Sequence, residues 1–177
     1  MRCLIAFCLM VLLQAGITGQ HPGLPSGHSK EEVRALFPAD IKNLWINYLT
    51  GTVAGCHVID MILGTDGHTC KGLYTIRTSN TTFLIEGEDN ANQLRLIEYN
   101  TDYRATGFLN GRYDGLSFTG IWENTSRNHS YPVSLALVSS FQDYVHNGAL
   151  VCEMVTGLAG FDQTLNVFRR RRSLCFC

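Results

Sequence analysis

The sequence predicts a mainly β fold: an antiparallel β-meander, a closed or partly closed barrel of about eight strands, with one or two short N-terminal helices. Three observations predict it. From Val53 onward apolar and polar residues alternate with period two, the mark of strands with one face buried. Turn signals recur about every 8–12 residues, the spacing of all-β sandwiches and barrels. Glycines stand inside several runs, where they mark bends or bulges of a sheet coiling towards closure. A weak repeat supports consecutive hairpins: Thr106-Gly107-Phe108 returns as Thr119-Gly120-Ile121, and Gly72-Leu73-Tyr74 is similar.

The elements follow in chain order. Met1 and Arg2 precede an apolar run from Cys3 to Leu13, followed by small or polar residues. That is the outline of a secretory leader, residues 1–19, cut after Gly19. The run is shorter than the ~20 residues that cross a bilayer. Residues 20–28 hold two prolines, two glycines and two histidines and read as a disordered mature N-terminus. Ser29-Lys30-Glu31-Glu32 fits a capping box, so a helix is expected from Lys30 to about Phe37, ending before Pro38. A second helix is expected over Asp40 to Leu49. Ile41, Leu44, Trp45, Tyr48 and Leu49 fall on one helical face there, Asp40 serves as cap, and Trp45 anchors the face. Residues 29–50 thus form a helical segment packed on a β domain of residues 51–168, with a basic, Cys-containing tail over 169–177.

Within the β domain Ile59, Met61 and Leu63 alternate with Val58, Asp60 and Ile62 up to the hairpin signal Asp66-Gly67. The return strand is Cys70 to Arg77. Thr82 to Glu86 and Gln93 to Tyr99 follow. Arg104 to Leu109 and Leu116 to Glu123 make another pair, around Asn110-Gly111 and Asp114-Gly115. Tyr131, Val133, Leu135 and Leu137 then alternate, and segments near Leu150–Val155 and Thr164–Phe168 complete the set. Over residues 56–138 this strand rhythm resembles avidin-type and lipocalin-type barrels. The Gly-x-Trp of lipocalins is missing near the first strand, Trp45 standing in a helical pattern instead.

Charge and cysteine usage narrow the function. Of 14 lysines and arginines, Arg169 to Arg172 sit together near the end, while all 15 acidic residues lie in the folded part. That part is mildly acidic, which argues against a nucleic-acid surface. Cys56, Cys70, Cys152, Cys175 and Cys177 survive leader removal, an odd number that in an oxidising compartment leaves a thiol over for another molecule. A hairpin at Asp66-Gly67 sets Cys70 opposite Leu63 and Cys56 opposite about Arg77, too far apart for a bridge. One of the two is therefore expected to pair with Cys152. Asn80, Asn124 and Asn128 head glycosylation sequons. Arg172-Ser173 is a candidate cut for convertases of the secretory pathway, set against a solvated basic tail.

Catalytic signatures are sparse. His57 beside Cys56 and His68 near Cys70 do not make a zinc spacing, so no metal or cofactor is expected. The carboxylates Glu86, Glu98, Asp102 and Glu123 near strand ends offer a hydrolase reading, since glycosidases use two such groups. Aromatics are frequent in the central segment. Most read as β-core, with Phe118 and Trp122 as candidate ligand contacts. The sequence thus points to a secreted, extracellular glycoprotein without enzymatic activity, binding another extracellular protein or a matrix component and open to disulfide crosslinking into a covalent oligomer. A barrel-type carrier of a small hydrophobic ligand is the alternative, and a secreted hydrolase the second. No nucleic-acid partner and no membrane-integral segment after leader removal are expected.

Overall fold

The computed structural model describes residues 28–146 and 149–157. The expected leader, residues 20–27, the strand near Thr164–Phe168 and the tail with Arg172, Ser173, Cys175 and Cys177 lie outside the described residues. The chain opens with helix α1, Lys30–Arg34. Ser29 holds extended backbone and its Oγ accepts from the Glu32 N–H at 3.2 Å, half of the expected box. Glu32 does not close the other half. Its carboxylate lies 2.8 Å from His28 Nδ1, while His28 Nε2 lies 3.1 Å from Thr82 Oγ1.

Among the described residues nine strands follow: β1 Asn43–Val53, β2 His57–Thr65, β3 Thr69–Ile76, β4 Thr81–Asn90, β5 Gln93–Tyr99, β6 Ala105–Tyr113, β7 Ser117–Asn124, β8 Ser130–His146 and β9 Ala149–Gly157. Each pairs antiparallel with the next, and β1 also pairs with β8, closing β1–β8 into a barrel. The last strand extends it, pairing with the later half of β8, Ser139–His146. One barrel end carries the β1–β2, β3–β4, β5–β6 and β7–β8 turns and is called the upper end below. The lower end carries the two Asp-Gly hairpins. Asp66 Oδ1 accepts from the N–H of His68 and Thr69, and Asp114 Oδ1 from Leu116 and Ser117. Gly67 and Gly115 supply the positive φ of +94° and +90° that follows each Asp.

The expected second helix is corrected: Asn43–Val53 is the first barrel strand. Leu44, Ile46 and Tyr48 face outward, beneath α1, in a cluster with Val33, Phe37, Ile62 and Phe141. Leu49 faces inward into the main core. A strand buried on both faces loses its simple two-residue alternation, and the apolar residues that are left can imitate a helical stripe. Close docking of α1 depends on Gly64. A Cβ there would stand 2.6 Å from Phe37 Cε2 and 2.9 Å from Val33 Cγ1.

Inward residues fill the barrel as one apolar cluster, including Leu49, Ile59, Leu63, Leu96, Leu109 and Phe118. Cys70 belongs to it and is a buried free thiol, whereas Cys56 is an exposed free thiol in the β1–β2 turn. Cys70 stands across from Thr65, two places from the expected Leu63. The two cysteines occupy opposite ends of their hairpin, as the spacing argument required. For the expected pairing of Cys56 or Cys70 with Cys152, both described cysteines are free. From Cys70 the register runs through Thr65, Trp45 and Gln142 to Glu153, next to Cys152. Cys70 and position 152 thus lie four strands apart around the wall, not on neighbouring strands.

Candidate functional site

The interior is largely apolar, broken lower down by Asn47 and Ser140 bonded to each other, and at its upper end it receives a carboxylate. Along β5 the inward positions are Leu94, Leu96 and Glu98. Glu98 is 2 % exposed. Three side chains from three other strands converge on it. Tyr74 Oη, on β3, donates to Oε2. Trp122 Nε1, on β7, donates to the same oxygen at 2.6 Å. Thr106 Oγ1, on β6, donates to Oε1. Since an indole N–H only donates, Oε2 acts as an acceptor.

Local backbone features deliver these groups. Glu98 stands across from Gly107 and Tyr99 across from Ala105, so Thr106 is the extra residue of a bulge. A bulge re-aims one side chain, and here it brings the Thr106 hydroxyl to a carboxylate inside the barrel. Gly107 makes room for the indole: a Cβ there would lie 2.5 Å from Trp122 Nε1. Burial, followed by the charge of Glu98 and the hydrogen bond to it, raises the pKa of Tyr74, so this phenol keeps its proton and donates.

The surroundings are aromatic. Tyr74 stacks on Phe83 of β4 at 5.1 Å between centroids, and Trp122 on Tyr131 of β8 at 5.9 Å. Val53, Ile76, Phe83 and Trp122 are only partly buried, and Tyr131 is 42 % exposed. Solvent therefore reaches the residues bordering Glu98. The ion pairs among the described residues engage Glu31, Glu32, Asp60, Glu86 and Asp143. None engages Glu98. An acid held by neutral donors alone is costly inside a barrel, where burial of a charge costs several kcal/mol in practice.

The other candidates are distributed as follows. Phe118 is 1 % exposed and packs in the core, beside Gly111, away from the mouth. Trp122 stands partly buried at the upper end, where it donates to Glu98. Glu86 lies on the outer wall with Lys71 at 3.7 Å and accepts from Tyr103 Oη at 2.7 Å. Asp102 is exposed in the β5–β6 turn, and Glu123 stands on β7 across from Phe108. The four strand-end carboxylates are not assembled into one site.

All three sequons lie at the upper end. Asn80 is exposed in the β3–β4 turn. Asn124 ends β7 and braces the next turn: its Oδ1 accepts from the Asn128 and His129 N–H groups at 3.1 Å, and its Nδ2 donates to Asn128 Oδ1 at 2.7 Å. Cys56 and His57 stand at the upper end, His68 and Cys70 at the lower. Among the described residues no three His, Cys, Asp or Glu side chains gather as metal ligands, and no helix is long and apolar enough to cross a membrane.

In the sequence Glu98 is visible only as one of four strand-end acids. The signal that singles it out is parity, because it shares the inward positions of Leu94 and Leu96. The chain matches no family model, no curated protein and no solved structure.

Proposed function

We propose that this chain is a secreted, non-enzymatic binding protein whose barrel receives a small molecule at its upper end. The observation that carries the reading is Glu98, a buried carboxylate held only by neutral donors beneath a partly exposed aromatic rim. Pockets of this kind combine apolar and aromatic walls with a few fixed polar groups. The core below the rim is filled by side chains, so the mouth is shallow and suits a compact ligand or the end of a longer one. The leader pattern and the three sequons at the same end favour an extracellular glycoprotein, with sugars around the rim.

Intrinsic fluorescence tests this. The chain has two tryptophans, and a Trp45→Phe variant leaves Trp122 as the reporter. A saturable change of its emission with one class of compact organic solute supports the reading. Tyr131→Ala, which removes the ring stacked on the reporter, is expected to weaken that binding. Emission insensitive to every solute class up to about 1 mM, the weak edge of specific binding, would overturn the reading.

A second reading, recognition of a protein or matrix component, is favoured by Tyr103. It is 59 % exposed in the β5–β6 turn and stacks on Tyr99 at 4.7 Å. Rigid exposed tyrosines are common anchors of protein contacts. Reduced capture of extracellular proteins by Tyr103→Ser, with small-molecule binding intact, would favour this reading.

A further inference from the structure

Resting on the small-molecule reading above, we propose that the ligand of the upper mouth carries a primary ammonium group, placed against Glu98 and the aromatic pairs beside it. The charge balance of the site is the starting point. Glu98 has no cationic partner among the described residues, and its three donors, Tyr74, Thr106 and Trp122, are all neutral. Acceptor capacity is left over. Oε2 accepts twice, whereas Oε1 accepts from the Thr106 side chain alone among the described residues. A carboxylate oxygen accepts about two hydrogen bonds, so Oε1 keeps acceptor capacity for one more donor.

The walls favour the same class. Tyr74 and Trp122, which bind Glu98, each stack on a second ring, Phe83 and Tyr131. Aromatic faces attract an ammonium, more strongly where water is excluded. A charge-assisted N–H···O bond to Glu98 would add to that attraction. Competing ligand classes fit less well. An anion would meet the Glu98 charge directly. A hard divalent cation such as calcium takes about 6–8 oxygen ligands, and this site offers one carboxylate and two hydroxyls already engaged with it.

The test compares three six-carbon probes of matched shape, n-hexylammonium, n-hexanol and hexanoate, titrated into Trp45→Phe protein with Trp122 emission as readout. The ammonium is expected to bind at least about tenfold tighter than the alcohol, with hexanoate weakest. In a Glu98→Gln variant that preference is expected to collapse to within about twofold while hexanol binding persists. Equal affinity for alcohol and ammonium, or tightest binding of hexanoate, would overturn the ammonium assignment and leave the mouth as a binding site. Silence of all three probes would overturn the ammonium assignment, and the small-molecule reading falls with it only if every other solute class is silent too. If Glu98→Gln does not fold, as judged by circular dichroism, the ratio measured in the parent protein decides alone.

Discussion

Cys70 gives the sharpest test of how this barrel is packed. Its side chain is fully buried, and burial, the largest cause, pushes the thiol from 9.0 up to about 12. A hydrogen bond with Thr65 works against that rise, and the charges of Asp89 and Asp66 add to it. The folded state thus keeps a proton that the unfolded chain releases from pH 9.0 upward. Stability from this group is complete below that pH and is lost as pH climbs towards about 12. One such proton corresponds to a slope approaching ~1.4 kcal/mol per pH unit, or about 2 kcal/mol lost by about pH 10.5. Tyr74 and Tyr113, both raised chiefly by burial, add their own losses from about pH 10 upward.

Urea unfolding of the parent and of Cys70→Ala, in reductant, from about pH 8 to about pH 10.5, isolates the thiol, because the tyrosines and exposed Cys56 are common to both proteins. The parent should lose about 2 kcal/mol more than the variant across that range. Parallel curves would refute the reasoning. They would mean that the Cys70 thiol meets water in the fold, or that its sulfur is tied in a disulfide and has no proton to release.

Three further outcomes are expected from equilibrium unfolding at neutral pH. Phe118→Ala should cost about 3–5 kcal/mol, since the ring is fully buried in the barrel core. Gly64→Val should cost about 1–3 kcal/mol by forcing α1 off β2, with exposure of Phe37 to quenchers or proteases as the local sign. Arg77→Met should cost about 1–3 kcal/mol, because Asp60 is buried and would keep Thr50 as its side-chain partner in place of the paired bonds from Arg77 at 2.6 and 2.7 Å. Adding Asp60→Asn should recover much of that loss, a rescue that a purely steric effect of the thioether side chain would not show.

The hairpins are legible because their signals are local. Asp66-Gly67 and Asp114-Gly115 use an Asp side chain to hold the turn and a glycine to take positive φ, and both stand where expected. Asn110-Gly111 carries a similar signature yet lies inside β6, which runs on to Tyr113. There the glycine serves packing: it faces Gly120 of β7, and a Cβ would press on Phe118. β1 reads as a helix because both its faces are buried, the outer one under neighbouring α1 and the inner one against core residues that come from distant sequence. The Glu98 cluster is out of reach for the same reason. Tyr74 and Trp122 each stand 24 residues away from it, and only barrel closure brings them together.

Closure through β1 and β8 also sets an order of events during synthesis. Asn47 receives its hydrogen bond from Ser140, 93 residues later, so the first strand has no second neighbour until nearly the whole described chain has left the ribosome. Until then a growing ribbon of hairpins must hold an uncovered apolar face and two unpaired edges. Contacts so distant along the chain are slow to form. The interval before the seam shuts is therefore when a nascent chain is most open to aggregation, and when a folding helper or a sugar added to Asn80 would have the greatest effect on yield.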